Sequence, residues 1–338
     1  SASLAWRIAE ENFMQNSRTW LDDLKLRLSV GGLGNGNVDP YLYLPTMPIG
    51  RTSLILDDLL QTYTYAPANI PRGLTWEKAT TYDVGLDFTL LNRRLSVILD
   101  YYERHTTDMF TVGPEVPHVF GAAVPRGNNA NLKTKGWETS VEWRDQGTIA
   151  GKPFQYGVKA MLWDSRSWVT KFNNENKLLS TYYEGMEIGE IWGYRILGLF
   201  KDQQDIDNHV DQSRIIVSGS NIIKPGDLKF ADLDGDGAIT PGTNTVGDPG
   251  DRTVIGNTTP RYQFGMNLNF SWNRIGLSAF IQGVGQRHWY PAKESAFFWG
   301  QYNRPYGYML QMHTGDNVWT EENQNVDAYW PRYRGYLA

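Results

Sequence analysis

The chain has 338 residues, no cysteine and a formal net charge of −5. The lack of cysteine excludes disulfides and thiolate metal sites, and the acidic balance argues against a general nucleic-acid surface, which would be basic. No stretch reaches the roughly 18 apolar residues that a membrane helix needs. A strand of a membrane barrel needs only about 9–11 residues, and only every second one faces lipid. The low mean hydropathy of the chain therefore does not exclude a membrane β-barrel.

Strict alternation of apolar and polar residues is the clearest pattern, and it predicts β-strands with two different faces. In segment 260–272, for example, every second residue is large and apolar: Tyr262, Phe264, Met266, Leu268, Phe270 and Trp272. The same pattern recurs along the chain. In chain order it predicts eight strands: 1–9, 23–33, 79–91, 93–108, 131–146, 153–170, 260–273 and 275–289.

The connections between these strands alternate in length. The short ones are 10–22, 92, 147–152 and 274, and the long ones are 34–78, 109–130, 171–259 and 290–338. Outer-membrane barrels have short periplasmic turns and long extracellular loops. We therefore predict that the first strand runs toward the periplasm. Aromatic residues at the strand ends are expected at the membrane interfaces: Trp143 and Trp272 on the periplasmic side, and Tyr101, Tyr102, Trp289 and Tyr290 on the outer side.

The fold class predicted is all-β, a transmembrane antiparallel β-barrel of which this chain supplies about eight strands. A soluble sandwich is the alternative, but its strands are usually about 5–6 residues long. An open set of strands would leave two edges that lipid does not tolerate, so further strands are expected. The residues predicted on the inner face suit a wide, wet interior: Asp83, Asp87, Asp100, Glu138, Glu142 and Lys159.

Several short segments occur in a characteristic order: 20–27, 74–78, 82–88, 100–103, 187–189, 198–200, 226–227, 234–237, 251–256, 260–262 and 282–285. In that order they resemble the C-terminal part of the SusC/RagA-like TonB-linked outer-membrane transporters. The resemblance covers nearly the whole chain. We interpret residues 1–338 as the C-terminal portion of such a receptor, with the plug domain outside the sequence.

The resemblance implies a barrel of about 22 strands in the outer membrane of a Gram-negative bacterium. It implies active import of a bulky nutrient, most often an oligosaccharide or a peptide. The implied partners are a SusD-like surface lipoprotein, the TonB-ExbB-ExbD system and the lipid bilayer. The alternative is a calcium-stabilised, β-rich surface binding or adhesion protein without transport. An enzyme is not expected, because the histidines show no catalytic or metal-ligand spacing: residues 105, 118, 209, 288 and 313.

One constellation predicts an ion site. Segment 232–240 matches the first nine positions of an EF-hand-type calcium loop, with carboxylates at alternate positions and glycine at the sixth. The usual last acidic position falls on Thr243, so Asp251 is the natural substitute and Asp248 its rival. The predicted structural Ca²⁺ ligands are Asp232, Asp234, Asp236, Ala238 through its carbonyl, and Asp251. A metal-free turn is the alternative, since Asp and Gly favour turns.

Two loop features have open interpretations. The leucine-rich segment 54–60 around Asp57 and Asp58 is either a docking patch or a locally packed loop. Loop aromatics could stack on sugar rings, contact a lid protein or pack the loops together: Trp192, Tyr194, Phe297, Phe298, Trp299, Tyr302 and Tyr306.

Overall fold

The computed structural model describes residues 1–36, 44, 46–65, 74–113, 119, 124, 126–215, 221–292, 295–302 and 309–334. The chain divides into two compact units. The first, here called the wall unit, comprises residues 1–175, 182–188 and 260–287. The second, the loop unit, comprises residues 176–181, 189–259 and 288–338.

The structure is built mainly of strands. In chain order they are β1 (Ala2–Arg7), β2 (Leu21–Asn35), β3 (Ile49–Leu56), β4 (Leu59–Thr64), β5 (Glu77–Leu90), β6 (Leu95–Val112), β7 (Arg126–Ile149), β8 (Lys152–Lys171), β9 (Glu190–Tyr194), β10 (Ile196–Leu199), β11 (Leu228–Phe230), β12 (Arg252–Asn257), β13 (Arg261–Trp272) and β14 (Ile275–Gln286). Two short helices, α1 (Gln203–Asp207) and α2 (Ala296–Trp299), lie in the loop unit. None of the helices in the described ranges has the length and apolar character needed to cross a membrane.

The wall unit contains one eight-stranded antiparallel sheet in the order β1-β2-β5-β6-β7-β8-β13-β14. These are the eight predicted strands, and the predicted all-β antiparallel class is confirmed. Their ends differ by a few residues. The first strand stops at Arg7 because the chain turns into 3₁₀ helix at Ile8–Glu10 and Asn12–Ser17, and β7 extends beyond the predicted 131–146 at both ends.

The long connections contain more structure than alternation predicts. Connection 34–78 holds the hairpin β3–β4, and connection 171–259 holds the pairs β9–β12 and β10–β11. Most of these strands are only three to six residues long. Such short segments show too few alternations to be recognised from sequence.

The turn between β7 and β8 shows how a short connection is made. Ala150 and Gly151 both have positive φ, at 50° and 69°. A two-residue turn with positive φ at both positions matches the twist of an antiparallel pair. Trp272 donates its indole N–H to the carbonyl of Ile149 at 3.1 Å, and Trp143 donates to the hydroxyl of Tyr156 at 3.2 Å. Trp272 therefore lies beside this turn, and Trp143 pairs with Leu95 at the start of β6, next to the short turn between β5 and β6. Their place at the periplasmic interface stays a prediction.

The sheet register gathers the large apolar side chains on one face. Leu26 pairs with Leu86, and Leu86 pairs with Leu99. The same face continues to β8, β13 and β14, where Leu162 pairs with Phe264 and Met266 with Ile281. Many of these side chains are exposed in the chain: Leu4, Trp6, Leu28, Tyr82, Val84, Leu99, Tyr101, Leu162, Phe264, Phe270, Leu277 and Ile281. This apolar outward face spans all eight strands, which suits lipid contact.

The opposite, inward face is polar. Residues adjacent to the apolar ones fall on it because side chains alternate. Tyr102 is a correction to the predicted girdle: Tyr101 lies outward opposite Trp137, whereas Tyr102 lies inward opposite Gly136. A Cβ at Gly136 would overlap the Tyr102 ring, so the ring lies flat over the glycine. Trp289 and Tyr290 follow the end of β14 and belong to the loop unit.

Buried cores are small and local. In the wall unit, Ala130, Val169 and Phe172 form a cluster at the long-loop end of β7 and β8. In the loop unit the most deeply buried side chains include Phe200, Ile239, His313 and Asp251. A carboxylate and an imidazole inside a core must be held by hydrogen bonds, so Asp251 and His313 are two anchors of the loop unit.

Candidate functional site

An ion network joins three strands on the inward face. The Arg27 guanidinium contacts both carboxylate oxygens of Asp87 at 2.8–3.0 Å and also donates to Asp100 at 2.7 Å. Gly85 lies between them, and a Cβ there would overlap both Arg27 and Asp100. The glycine therefore lets the arginine of β2 reach across β5 to β6.

The acidic loop 232–238 is held by hydrogen bonds from its backbone N–H groups to its own aspartate side chains. Asp232 accepts from the N–H groups of Gly235 at 2.6 Å and Gly237 at 3.1 Å. Asp234 accepts from the N–H of Asp236 at 3.1 Å, and Asp236 from that of Ala238 at 2.8 Å. The glycines at 235 and 237 both have positive φ. These bonds keep the carboxylates turned toward the inside of the loop.

Asp251 lies beside this loop although it is distant in sequence. Its side chain is fully buried and accepts from the N–H groups of Leu233 and Thr240, each at 2.7 Å. One carboxylate oxygen each from Asp232, Asp234 and Asp251 lies within 4.8 Å of the others. A hard divalent cation prefers such a set of oxygens.

The other predicted ion ligands are placed differently. Asp236 is outside the three-carboxylate group, and its carboxylate accepts from the N–H of Ala238. Asp248, the rival of Asp251, instead accepts from the N–H of Thr243 at 3.0 Å. Hydrogen bonds from Thr243 hold the pKa of Asp248 below its ordinary value.

Crowding of like charges is visible at Asp234. The hydrogen bond from the Asp236 N–H lowers the pKa of Asp234, but desolvation and the charges of Asp236, Asp251 and Asp232 outweigh it and leave the pKa raised. Mutual repulsion of carboxylates raises the affinity of one proton or one cation for the group. The site geometry is therefore compatible with Ca²⁺, whose binding stays a prediction.

The insertion 241–250 is closed by Arg252. Its guanidinium donates to the Asn244 side chain at 2.9 Å and to the carbonyls of Pro241 and Pro249 at 2.6 and 3.2 Å. Backbone bonds from Asp211 to Gly237 and from Ile239 to Asp211 tie the acidic loop to the segment after α1. The candidate ion site is thus built into the loop unit.

A further buried anchor, Asp227, was not predicted from sequence. Asp227 has a side chain that is only 4% exposed and accepts paired hydrogen bonds from Arg332, at 3.1 and 3.0 Å, and from Arg334, at 2.9 and 2.7 Å. The Lys224 N–H donates to it at 2.8 Å. Burial alone would raise the pKa of Asp227, but the two arginines and this amide hold it below its ordinary value.

Gly226, next to this anchor, could have signalled it. Its φ is +85°, and a Cβ would overlap the Trp319 ring. Its carbonyl accepts from the Arg332 N–H at 2.7 Å. The Gly-Asp pair was recognised as part of a resemblance, but its partners lie more than a hundred residues away.

The loop aromatics form a cluster centred on the buried ring of Trp330. Phe298, Trp299 and Tyr302 contact it, with ring centroids 5.0–6.1 Å apart. His313 lies 5.0 Å from the same ring. These three aromatics therefore support the interpretation that they pack the loops together. Trp192 instead donates to Glu190 and Tyr194 packs on Phe230, Phe297 is exposed, and Tyr306 lies outside the described residues.

The imidazole ring of His313 is held in one orientation by contacts at both of its nitrogens. Its Nδ1 accepts from the Leu310 N–H at 3.1 Å and its Nε2 lies 2.6 Å from the Phe298 carbonyl. A ring that carries its proton on Nε2 satisfies both contacts. The other described histidines lie at separate places, with His105 on Glu103 and His288 accepting from Asn257. His118 lies outside the described residues.

The leucine-rich segment 54–60 forms the tip of the hairpin β3–β4. Asp57 and Asp58 make the turn, both with positive φ. The aliphatic side chains around them are exposed rather than packed: Leu54, Ile55, Leu56, Leu59 and Leu60. A two-stranded hairpin is marginal by itself, and the docking interpretation of this tip stays a prediction.

Comparison with known proteins identifies the wall. A family described as "TonB dependent receptor-like, beta-barrel" matches residues 1–336. TonB-dependent receptor P26 of Formosa agariphila is 27% identical over 99% of this chain, and TonB-dependent receptor SusC of Bacteroides thetaiotaomicron is 28% identical over 83% of it. The chain spans 32% and 27% of the lengths of these two relatives.

The fold agrees with that match. A solved structure of the RagAB peptide transporter superposes on 99% of this chain with a TM-score of 0.67, at 20% identity, and the match covers 34% of that chain. A structure of the RagAB peptide importer in its open-open state gives a TM-score of 0.63 over the same share. With an outward apolar face on eight consecutive strands and a family match along 336 residues, this chain belongs to the SusC/RagA-like family of TonB-dependent receptor β-barrels.

Proposed function

We propose that this chain forms part of the wall and outer loops of an active importer in the outer membrane of a Gram-negative bacterium. The observation that carries the proposal is the apolar outward face that runs across all eight strands of the sheet. Such a face is stable in lipid and would aggregate in water. The polar inward face suits a hydrated interior.

The proposed cargo is a bulky nutrient, an oligosaccharide or a peptide. Likeness to SusC and to the RagAB peptide transporter supports this choice. The proposed partners are a SusD-like surface lipoprotein and the TonB-ExbB-ExbD system, which would supply energy through parts of the protein outside residues 1–338. The chemistry is binding and passage, without bond making.

Energised uptake tests the proposal. Cells that lack the full-length protein should lose uptake of its cargo and regain it on complementation, and a protonophore should abolish the regained uptake. The measurement is accumulation of labelled oligosaccharides and peptides. Cells that bind a ligand at the surface but never accumulate it would instead support a surface binding or adhesion protein.

We further propose that the acidic loop holds a structural Ca²⁺. The donor set fits: carboxylate oxygens of Asp232, Asp234 and Asp251 converge, with Asp236 and the Ala238 carbonyl close by in sequence. Ca²⁺ takes six to eight oxygen ligands and tolerates irregular geometry, whereas Mg²⁺ demands a strict octahedron. The ion would neutralise the crowded carboxylates and stiffen the loop unit.

Calorimetric titration of calcium-depleted full-length protein tests this site. We expect binding with a Kd of about 10⁻⁴–10⁻³ M, typical of extracellular modules, and a loss of at least about tenfold in Asp234→Asn and Asp251→Asn, since each removes one charge from the ligand set. Asp248→Asn is the matched control, because it makes the same charge change at a carboxylate bound to Thr243. The site would be excluded if all three variants bound Ca²⁺ as tightly as the parent protein, or if the parent protein bound no Ca²⁺.

A further inference from the structure

The outward face of the wall changes its chemistry abruptly at the long-loop end of β5, β6, β7 and β8. Residues that pair across these strands form rows on that face. The last mainly aliphatic row is Leu86, Leu99, Thr139 and Leu162, and the next row is Val84, Tyr101, Trp137 and Asp164. Above it lie the row Tyr82, Glu103, Lys135 and Arg166 and the row Thr80, His105, Lys133 and Trp168. Aliphatic side chains thus give way to aromatic and then to charged ones.

The height of this change matches the edge of a bilayer. On β8 the outward apolar positions begin at Phe154, and the first charged position after them is Asp164. The strand from 154 to 164, at a rise of about 3.3 Å per residue and a tilt of about 40°, spans about 25 Å. That is the height of the apolar band of an outer-membrane barrel, whose long loops are extracellular. Lys135 and Arg166 therefore lie at the level of the outer-leaflet headgroups.

Three basic side chains lie just above that edge and are here called the outer cation patch: Lys133, Lys135 and Arg166. The Glu103 carboxylate lies between the two lysines, with Oε1 2.7 Å from the Nζ of Lys133 and Oε2 3.7 Å from the Nζ of Lys135. His105 contacts the same Oε1 at 2.7 Å. Because like charges on neighbouring positions repel, this carboxylate allows both ammonium groups to share one part of the wall.

The outer cation patch keeps an excess of positive charge. Glu103 is one acid facing two lysines, and Arg166 is paired with Glu187. Three cations and two acids leave one net positive charge. The Lys135 side chain is 44% exposed and lies beyond hydrogen-bond distance of Glu103. Two further ion pairs at this end of the sheet are each neutral in sum: Lys78 with Asp108 and Arg261 with Asp164.

Aromatic rings accompany the basic side chains. The Arg166 guanidinium lies over the Trp168 ring, 5.3 Å from its centroid, and the Tyr82 ring contacts the ring of His105. Tryptophan and tyrosine gather at headgroup level in membrane proteins. Lysine and arginine there lay their stems on apolar surface and extend the charge into the polar layer. The charges of the outer cation patch therefore lie where lipid phosphates lie.

The combination of rows selects an amphiphile. Leu99 and Leu162, directly below the aromatic row, are exposed, so acyl chains can pack along them while a phosphate reaches the ammonium groups above. A soluble phosphate would meet the same cations but would gain nothing from the apolar rows. The observations therefore favour a lipid over a free anion.

We propose that the outer cation patch binds the phosphate of an anionic lipid of the outer leaflet and holds that lipid against the wall. This inference goes beyond import, because it concerns the lipid that surrounds the wall and applies whatever the cargo is.

Native mass spectrometry of the full-length protein, released from detergent, tests the inference. The probe is diphosphoryl lipid A, and the comparison ligands are the same lipid without its phosphates and inorganic phosphate. The test variant is Lys133→Gln/Lys135→Gln. The matched control is Lys25→Gln/Lys159→Gln, which removes the same two charges from inward positions of the same sheet, opposite Asp87 and Glu142. Thermal unfolding followed by circular dichroism shows whether each variant is folded.

Glu103→Gln is a second test variant with the opposite expected sign. It removes the carboxylate that competes with a phosphate for the two ammonium groups and leaves both lysines in place. We expect it to bind lipid A about threefold more tightly than the parent protein. If the ion pairs only stabilised the sheet, Glu103→Gln would not tighten lipid binding.

We expect the parent protein to bind lipid A and to bind the dephosphorylated lipid at least about tenfold more weakly. Lys133→Gln/Lys135→Gln should also lose at least about tenfold in affinity for lipid A, because basic side chains at a membrane surface attract anionic headgroups. A tenfold loss corresponds to about 1.4 kcal/mol. The control should stay within about twofold of the parent protein.

Four results would overturn the inference. Equal binding of the two lipids would show that acyl contact alone holds them. Equal affinity of the parent protein and a folded Lys133→Gln/Lys135→Gln variant would place the lipid elsewhere. Displacement of lipid A by an equal concentration of inorganic phosphate would show a site for a soluble anion. Unchanged or weaker binding in Glu103→Gln would contradict the competition on which the inference depends, and this result decides if the double variant does not fold.

Discussion

Asp227→Ala is expected to destabilise the loop unit by about 3 kcal/mol, because breaking a buried ion pair by removing one partner costs about 3–5 kcal/mol. The substitution removes the carboxylate that pairs with two guanidinium groups. The side chain of Arg334 is 9% exposed and that of Arg332 is 21% exposed. Hydrogen exchange in the full-length protein checks this. Exchange in segments 224–230 and 330–334 should accelerate about a hundredfold if both are released together.

Asp207→Ala is the matched control for this variant. Asp207 is an exposed aspartate of the same unit whose carboxylate accepts from the Gln203 side chain at 2.8 Å, and its loss should cost at most about 0.5 kcal/mol. The pH dependence gives a second check. The pKa of Asp227 is lower in the folded than in the unfolded protein. The stabilisation of the folded state by Asp227 is therefore complete above the unfolded pKa of about 3.9. That stabilisation is lost as the pH falls through the folded pKa. Unchanged exchange in Asp227→Ala would refute the anchor.

Leu99→Lys and Ile98→Lys are expected to differ sharply although they are adjacent. Leu99 lies on the outward face between Leu86 and Thr139, whereas Ile98 lies inward between Asp87 and Ser140. A lysine on the lipid side near the bilayer midplane costs about 2–4 kcal/mol. A lysine at position 98 would extend into a hydrated interior beside a carboxylate. Urea titration of full-length protein refolded into lipid vesicles measures both.

The pair also tests the assignment of faces. A large loss in Ile98→Lys with none in Leu99→Lys would reverse inside and outside. Small and equal losses would mean that neither face contacts lipid. The comparison needs no other control, since both variants make the same change to lysine in one strand.

Sequence reasoning reached the wall because strand alternation is a local signal. Phe264 is apolar, whereas its neighbours Gln263 and Gly265 are not. Because side chains alternate between the two faces of a strand, contact of one face with lipid determines the character of all three residues. The order of the strands followed as well, because strands that follow one another along the chain tend to pair in antiparallel sheets. Short pairs such as β10–β11 were missed because they give no comparable repeat.

The loop sites divide in the same way. Asp232, Asp234 and Asp236 are recognisable because their spacing is that of a calcium-binding loop. Asp251 was predicted because it is an acidic residue that follows the insertion at the position where the last ligand is expected. The pairing of Asp227 with Arg332 and Arg334 joins positions 105 and 107 residues apart, and no local pattern encodes it.

The wall continues from β8 to β13 in the ordinary way, although most of the loop unit intervenes in the chain. Residues 154–163 pair with residues 263–272 without a shift of register. Closing a longer connection costs little, about 0.6 kcal/mol for each doubling of its length. The intervening segment can therefore be exchanged or lengthened between related proteins at small cost to the wall. That arrangement would let new specificities arise by replacing one module, while the barrel strands keep a sequence set by lipid.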